Sequence, residues 1–247
     1  MSRTKNKRPS QEFSSAPVQP EPAHYTTKSG IRKAVRIIPR NLHQEAYLDY
    51  LLNPDKIIIL AHGPAGSGKT QLAMLAAIKA LSEKKVDKII LCRPAITVDE
   101  ESHGFLPGDL RSKITPYLIP LIDVLLEYYS SKDLENMLET GIIEMAPLAF
   151  MRGRNLKRCF VVLDEAQNAS SSQIKVLFTR ICDGTKVVVT GDNNQSDKRN
   201  GENGLQNFKN MVETYGECKY IANIEFNHQD IERHPVVTEV LRILGDF

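Results

Sequence analysis

The stretch Lys56-Ile-Ile-Ile-Leu-Ala-His-Gly63-Pro-Ala-Gly-Ser-Gly68-Lys69-Thr70 decides the fold. Lys56 to Ala61 is a short apolar run without alternation, the pattern of a strand covered on both faces. Gly63 to Thr70 then fits G-x-x-x-x-G-K-[ST], and Gln71 to Glu83 reads as a helix. Strand, glycine-rich turn and helix in that order form a phosphate-binding loop. Its backbone N–H groups converge on the positive end of the helix, where several negative charges can be held in a small volume. Glycines let the chain curl tightly and approach the phosphates. Lys69 supplies a point charge to the β- and γ-phosphates and Thr70 a hydroxyl to Mg²⁺. Residues Gly63, Pro64, Ala65, Gly66, Ser67, Gly68, Lys69, Thr70 and Gln71 are therefore the expected nucleotide site. A chance match in a chain of this length is on the order of one per cent.

The same rhythm continues outward. Strand-like runs follow at Lys88–Cys92, Gly141–Ala146, Cys159–Leu163, Lys186–Thr190 and Cys218–Phe226, the last supplying one or two strands. Helical patterns separate them, and Pro235–Leu244 closes the chain with a helix. The helical stretch between Pro107 and Tyr129 contains Pro116 and Pro120, which predict a bend or a break. Upstream, residues 31–38 read as a short strand. Asn41 caps a helix with Leu42, Ala46, Leu51 and either Tyr47 or Leu48 on one side. Strands alternating with helices predict an α/β, three-layer P-loop NTPase (RecA-like) domain over residues 26–247, with a mostly parallel sheet and helices on both faces. Ligands in such folds sit at the carboxyl ends of the strands. The polar residues fall there.

The run Phe160-Val-Val-Leu-Asp164-Glu165 ends a strand in two acids. Downstream of a phosphate loop, an Asp there holds Mg²⁺ and a neighbouring carboxylate orients and deprotonates the attacking water. Asp164 is assigned to the metal and Glu165 to the base. The next strand ends Gly191-Asp192-Asn-Asn-Gln195. Position alone leaves open whether Gln195 touches the γ-phosphate or belongs to a polar turn.

Composition narrows the class. The 247 residues are 41% hydrophobic and 25% charged, ordinary for one globular α/β domain. No apolar run approaches the roughly 18 to 20 residues of a membrane span, and the first residues form no secretory signal. The expected compartment is the cytoplasm, without a membrane partner. Cys92, Cys159, Cys182 and Cys218 form no C-x-x-C pair and read as free thiols. A net charge of +2 does not announce a nucleic-acid binder. Residues 1–25, rich in Ser and Pro, read as a disordered tail whose Arg3, Lys5, Lys7 and Arg8 either touch a polyanion or are simply solvated.

Taken together, GPAGSGKT, CRPAITVDEESHGFLPGDLRSKITPYLIPLIDVL from Cys92, IIEMAPLAFMRGRNLKRCFVVLDEAQN from Ile142, LFTRI, KVVVTGDNNQSD and DIERHPVV from Asp230 resemble the PhoH family, from about residue 37 onward. That family is similar to the first motor domain of superfamily 1 helicases. The resemblance implies that Gln44 reads the adenine edge, that Asp164-Glu165-Ala-Gln167 is the DEAQ form of the metal and base motif, and that Asp192 and Gln195 form the GDxxQ sensor. It also sets Arg93 where such motors couple nucleotide to nucleic acid, with a structural salt bridge as the other reading. The sequence departs from the family near the sensor: Lys198-Arg199 replace a Leu-Pro pair and Asn203 replaces a Ser.

Phosphoryl transfer needs more positive charge at the γ-phosphate than one lysine gives, and an arginine from another domain or subunit is the usual supplement. The expectation is that a neighbouring copy supplies it in a homo-oligomeric ring, a hexamer by family resemblance. Arg233 is the first candidate, and Arg154 and Arg180 the others. The function these features imply is Mg²⁺-dependent ATP hydrolysis coupled to binding or remodelling of single-stranded nucleic acid, RNA favoured. A nucleotide-gated switch or scaffold with slow turnover is the alternative. A small-molecule kinase fits less well, because acids and Gln195 at the strand ends suit water as acceptor.

Overall fold

The runs read as strands form one sheet in the computed structural model, which describes residues 31–94, 110–192, 203–232 and 235–244. The strands are β1 (Ile58–His62), β2 (Lys88–Arg93), β3 (Ile143–Pro147), β4 (Cys159–Leu163), β5 (Lys186–Gly191) and β6 (Ile221–Glu225). Their order is β3-β2-β4-β5-β1-β6, and every pairing is parallel. Ile59 stands beside Val188 and Val161 beside Val187, so all the carboxyl ends meet one edge of the sheet. β5 lies between β1, which leads into the phosphate loop, and β4, which ends in the acids.

The helices are α1 (Leu42–Leu52), α2 (Lys69–Ser82), α3 (Leu110–Leu126), α4 (Ser131–Glu139), α5 (Ser171–Phe178), α6 (Gly204–Tyr215) and α7 (Pro235–Leu244). Alternate strand residues face opposite sides and build two cores. Ile59, Ile89, Leu91, Phe160, Val162 and Val188 pack with Tyr47 and Leu51 of α1, Met74 and Ile78 of α2 and Leu121 of α3. Leu60, Ile90, Val161, Leu163, Val187 and Val189 pack with Ile174 and Leu177 of α5 and Leu205 of α6. Each such side chain contributes about 1.5–3 kcal/mol on burial. The result is the three-layer, RecA-like α/β fold that the sequence predicts.

Local chemistry sets the helix ends. Asn41 accepts from the Gln44 N–H, and Ser170 forms a capping box with Gln173. Asn203, where the family carries Ser, caps α6 by accepting from the Gln206 N–H at 3.0 Å, so this departure preserves the cap.

Two expectations need correction, and two open readings are decided. Residues 31–38 pair with no described strand. Ile31, Val35 and Ile37 pack instead against the core shared by the sheet and α1, α2 and α3, and the Arg32 N–H donates to the Tyr128 carbonyl. α3 runs unbroken through Pro116 and Pro120, with Leu118, Leu121 and Leu125 buried along one side to hold it together. Leu42 is exposed, because α1 buries Gln44, Tyr47 and Leu51. Of the one or two strands expected from the last strand-like stretch, one forms, β6. α4, capped by Ser130, was not marked by any strong apolar run. Among the described residues no helix is long and apolar enough to cross a membrane.

Candidate nucleotide site

The loop from Gly63 to Gly68 turns from β1 into α2 over the carboxyl edge of the sheet. Gly63, Gly66 and Gly68 have φ of 134°, 88° and 82°, a region that side-chain-bearing residues avoid. A Cβ on Gly63 would lie 2.3 Å from the Phe226 carbonyl oxygen, so the loop is pressed against the end of β6 as well as curled. Gly68 caps α2 without a side chain, leaving the first N–H groups of the helix to be satisfied by a ligand. The cleft in front has a volume of about 330 Å³ and is lined by Gly66, Lys69, Thr70, Gln71, Glu165 and Asp192, among others.

Lys69 is nearly buried and folds back on its own loop, donating to the carbonyls of Gly63 and Pro64 at 2.7 Å each and to the Ser67 hydroxyl at 3.1 Å. Ser67 in turn donates to the Pro64 carbonyl. The loop therefore carries an internal set of acceptors that a phosphate would replace. Tyr47 lies beneath it. Burial, reinforced by the charge of Asp164, raises the Tyr47 pKa well above that of a free phenol, so it stays a neutral donor to the Lys69 carbonyl.

Across the cleft stands the end of β4. The Thr70 hydroxyl donates to Asp164 Oδ1 at 2.7 Å, and the Thr190 hydroxyl donates to the same oxygen at 2.7 Å. Arg93, the last residue of β2, donates through Nε and Nη2 to Asp164 Oδ2. Carboxylate and hydroxyl side by side could form the protein half of a Mg²⁺ site. Asp164 and Thr70 would hold the metal, and the metal would draw charge from the phosphate oxygens.

Glu165 follows in the left-handed region at φ 56°. This uncommon backbone turns its carboxylate toward Gln167, whose Nε2 donates to Glu165 Oε2 at 2.5 Å. The other end of the same amide accepts from the Asp192 N–H at 3.1 Å. One buried glutamine thus ties the β4 acids to the end of β5.

Gln44 is 4% exposed. Its Nε2 donates to the Ser67 carbonyl at 3.1 Å and its Oε1 accepts from the Arg40 N–H at 2.9 Å. Both ends of the amide are engaged by the chain, and the side chain braces the loop below Gly68. Arg154 grips Glu144 with two nitrogens, and Arg180 sits at the end of α5 where its carbonyl accepts from the Leu156 N–H. Leu156 precedes β4, so Arg180 lies at the amino edge of the sheet, away from the cleft. Gln195 and Arg233 lie outside the described residues.

The sequence did not single out Thr190, or give Gln167 a position. A hydroxyl at the end of the apolar run Val187–Val189 was the available signal for the first. For the second, the DEAQ pattern named the residue without its partners. Cys92 and Cys159 are buried free thiols whose pKa values burial raises, as expected of structural cysteines.

A family model described as "PhoH-like protein" matches residues 36–245. A PhoH-like protein of Bacillus subtilis is 41% identical over 216 residues, covering 87% of this chain and 65% of the relative. One of Mycobacterium tuberculosis is 43% identical over 211 residues, covering 85% and 58%. The chain therefore spans about three fifths of the length of these relatives. Among solved structures, the large terminase of a thermophilic bacteriophage in complex with ADP superposes with a TM-score of 0.51 at 13% identity, covering 82% of this chain and 49% of that one. At that identity the likeness shows the fold.

Proposed function

This chain belongs to the PhoH family, and from that premise we propose that it is an ATPase which hydrolyses Mg²⁺-bound ATP and couples turnover to single-stranded nucleic acid, RNA in preference to DNA. The observation that carries the hydrolytic part is the 2.7 Å contact between Thr70 at the start of α2 and Asp164 at the end of β4, with Glu165 beside it over the cleft. Triphosphate binds with its β- and γ-phosphates against the α2 N-terminus, and Lys69 exchanges its loop carbonyls for phosphate oxygens. Glu165 takes the proton of the attacking water, and Gln195 senses the γ-phosphate. Gln44 braces the loop and reads the adenine only if its amide exchanges the partners it now has.

Coupling to nucleic acid is supported by the family's similarity to helicase motors and by the basic residues Arg3, Lys5, Lys7 and Arg8. A second cation at the γ-phosphate comes, in this reading, from Arg233 of a neighbouring copy in a ring. The test is phosphate release from Mg-ATP with and without single-stranded RNA and DNA, alongside sedimentation with nucleotide. Acceleration by RNA and a nucleotide-dependent oligomer are expected. Hydrolysis indifferent to either nucleic acid would favour a nucleotide-gated scaffold, and a monomer that turns over rapidly would exclude the ring.

A further inference from the structure

We infer that Arg93 is a competitor for Mg²⁺: it occupies the oxygen of Asp164 that the two threonines leave, and the metal that arrives with nucleotide must displace it. The inference rests on the reading of Asp164 as the metal carboxylate. Asp164 is 4% exposed, and its two oxygens are divided cleanly. Oδ1 accepts the Thr70 and Thr190 hydroxyls, and Oδ2 accepts Nε at 3.0 Å and Nη2 of Arg93. The guanidinium thus holds the carboxylate oxygen through which a cation, or a water bound to one, would approach Asp164.

Two positive charges on that oxygen oppose each other. A guanidinium held by two nitrogens on a nearly buried carboxylate is among the stronger protein ion pairs, and a divalent ion placed beside it would be repelled at short range in a medium that screens poorly. The Arg93 side chain is itself 20% exposed, so it reaches solvent on one side. The same logic governs Lys69, which spends its charge on loop carbonyls until phosphate arrives. Both cations have partners within the chain, Lys69 on loop carbonyls and Arg93 on Asp164, and Mg-nucleotide binding exchanges both sets of contacts. Without Mg²⁺, nucleotide engages the loop and leaves Arg93 where it is.

The test is calorimetric titration with ADP across a series of free Mg²⁺ concentrations, and in EDTA, for the wild type, Arg93→Gln and Arg93→Lys. In Arg93→Gln the Mg²⁺ concentration that half-saturates the metal-dependent part of binding should fall about tenfold, as expected when one partly buried charge-assisted contact no longer opposes the metal. Affinity in EDTA should be unchanged. Arg93→Lys keeps the charge but not the two-nitrogen grip, and its shift should lie between the two. It also carries the test if Arg93→Gln fails to give a cooperative thermal melt. A half-saturating Mg²⁺ concentration that is unchanged or raised in the folded variants, while wild-type binding depends on Mg²⁺, would overturn the competition alone. Wild-type ADP binding that ignores Mg²⁺ would overturn the metal assignment of Asp164 and the competition with it.

Discussion

Replacing Gln167 by Leu should separate turnover from binding. The side chain is 1% exposed and makes two contacts, Nε2 to Glu165 Oε2 at 2.5 Å and Oε1 from the Asp192 N–H at 3.1 Å. Leucine nearly fills the same volume, so little cavity opens. What is lost is polar. The Asp192 N–H becomes a buried donor deprived of this acceptor, which costs about 1–3 kcal/mol. A charge-assisted bond to Glu165 goes too, so the expected destabilisation is about 2–3 kcal/mol, short of unfolding a domain of ordinary stability. The functional effect should be larger than the structural one. Glu165 sits in a left-handed backbone conformation with Gln167 holding its carboxylate. A base displaced by about 1 Å loses roughly a hundredfold in rate. Gln167 does not line the cleft, so nucleotide affinity should hold. Urea melts, calorimetric ADP binding and single-turnover phosphate release measure the three quantities. A folded Gln167→Leu protein that hydrolyses ATP at the wild-type rate would refute the positioning role.

Gly63→Ala places a Cβ 2.3 Å from the Phe226 carbonyl oxygen at a φ of 134°, and should cost about 3 kcal/mol or more by urea denaturation. Thr190→Val removes a buried hydroxyl from Asp164 while keeping the side-chain shape, and should destabilise by about 1–2 kcal/mol in the same assay. Glu144 is disfavoured as an anion by burial, but Arg154 and Lys88 outweigh that and hold its pKa below the usual carboxylate value. Its stabilisation is therefore present above the unfolded pKa and lost as pH falls through the lower folded one. Glu144→Gln should flatten the acid limb of the stability profile, by about 1–2 kcal/mol, when melts are run from neutral pH downward.

Much of this molecule was legible in sequence because its chemistry is local. A strand buried on both faces is a continuous apolar run, and Ile58–Ala61 and Phe160–Leu163 could be little else. The phosphate loop needs its glycines at fixed offsets, and Gly63, Gly66 and Gly68 have the backbone angles that explain them. Contacts across the sheet were less legible, since strand order brings together residues far apart in the chain. Thr190 meets Asp164, and Arg93 meets it from the other side, because β4 lies between β2 and β5. The prolines of α3 left open a bend or a break, and the helix stays continuous because Leu118, Leu121 and Leu125 are buried along it. Residues 31–38 showed a strand-like apolar pattern, yet they pack on the core through side chains without pairing to a described strand.

The central claim is that this cleft binds Mg-ATP and that Glu165 activates the water that cleaves it. The most direct measurement compares the wild type with Glu165→Gln for ATP affinity by calorimetry and for phosphate release in Mg²⁺. The variant should bind ATP as tightly as the wild type and release phosphate at least about a hundredfold more slowly, the scale of a lost general base. A wild type that binds no ATP, or a Glu165→Gln protein that hydrolyses it as fast as the wild type, would contradict the claim.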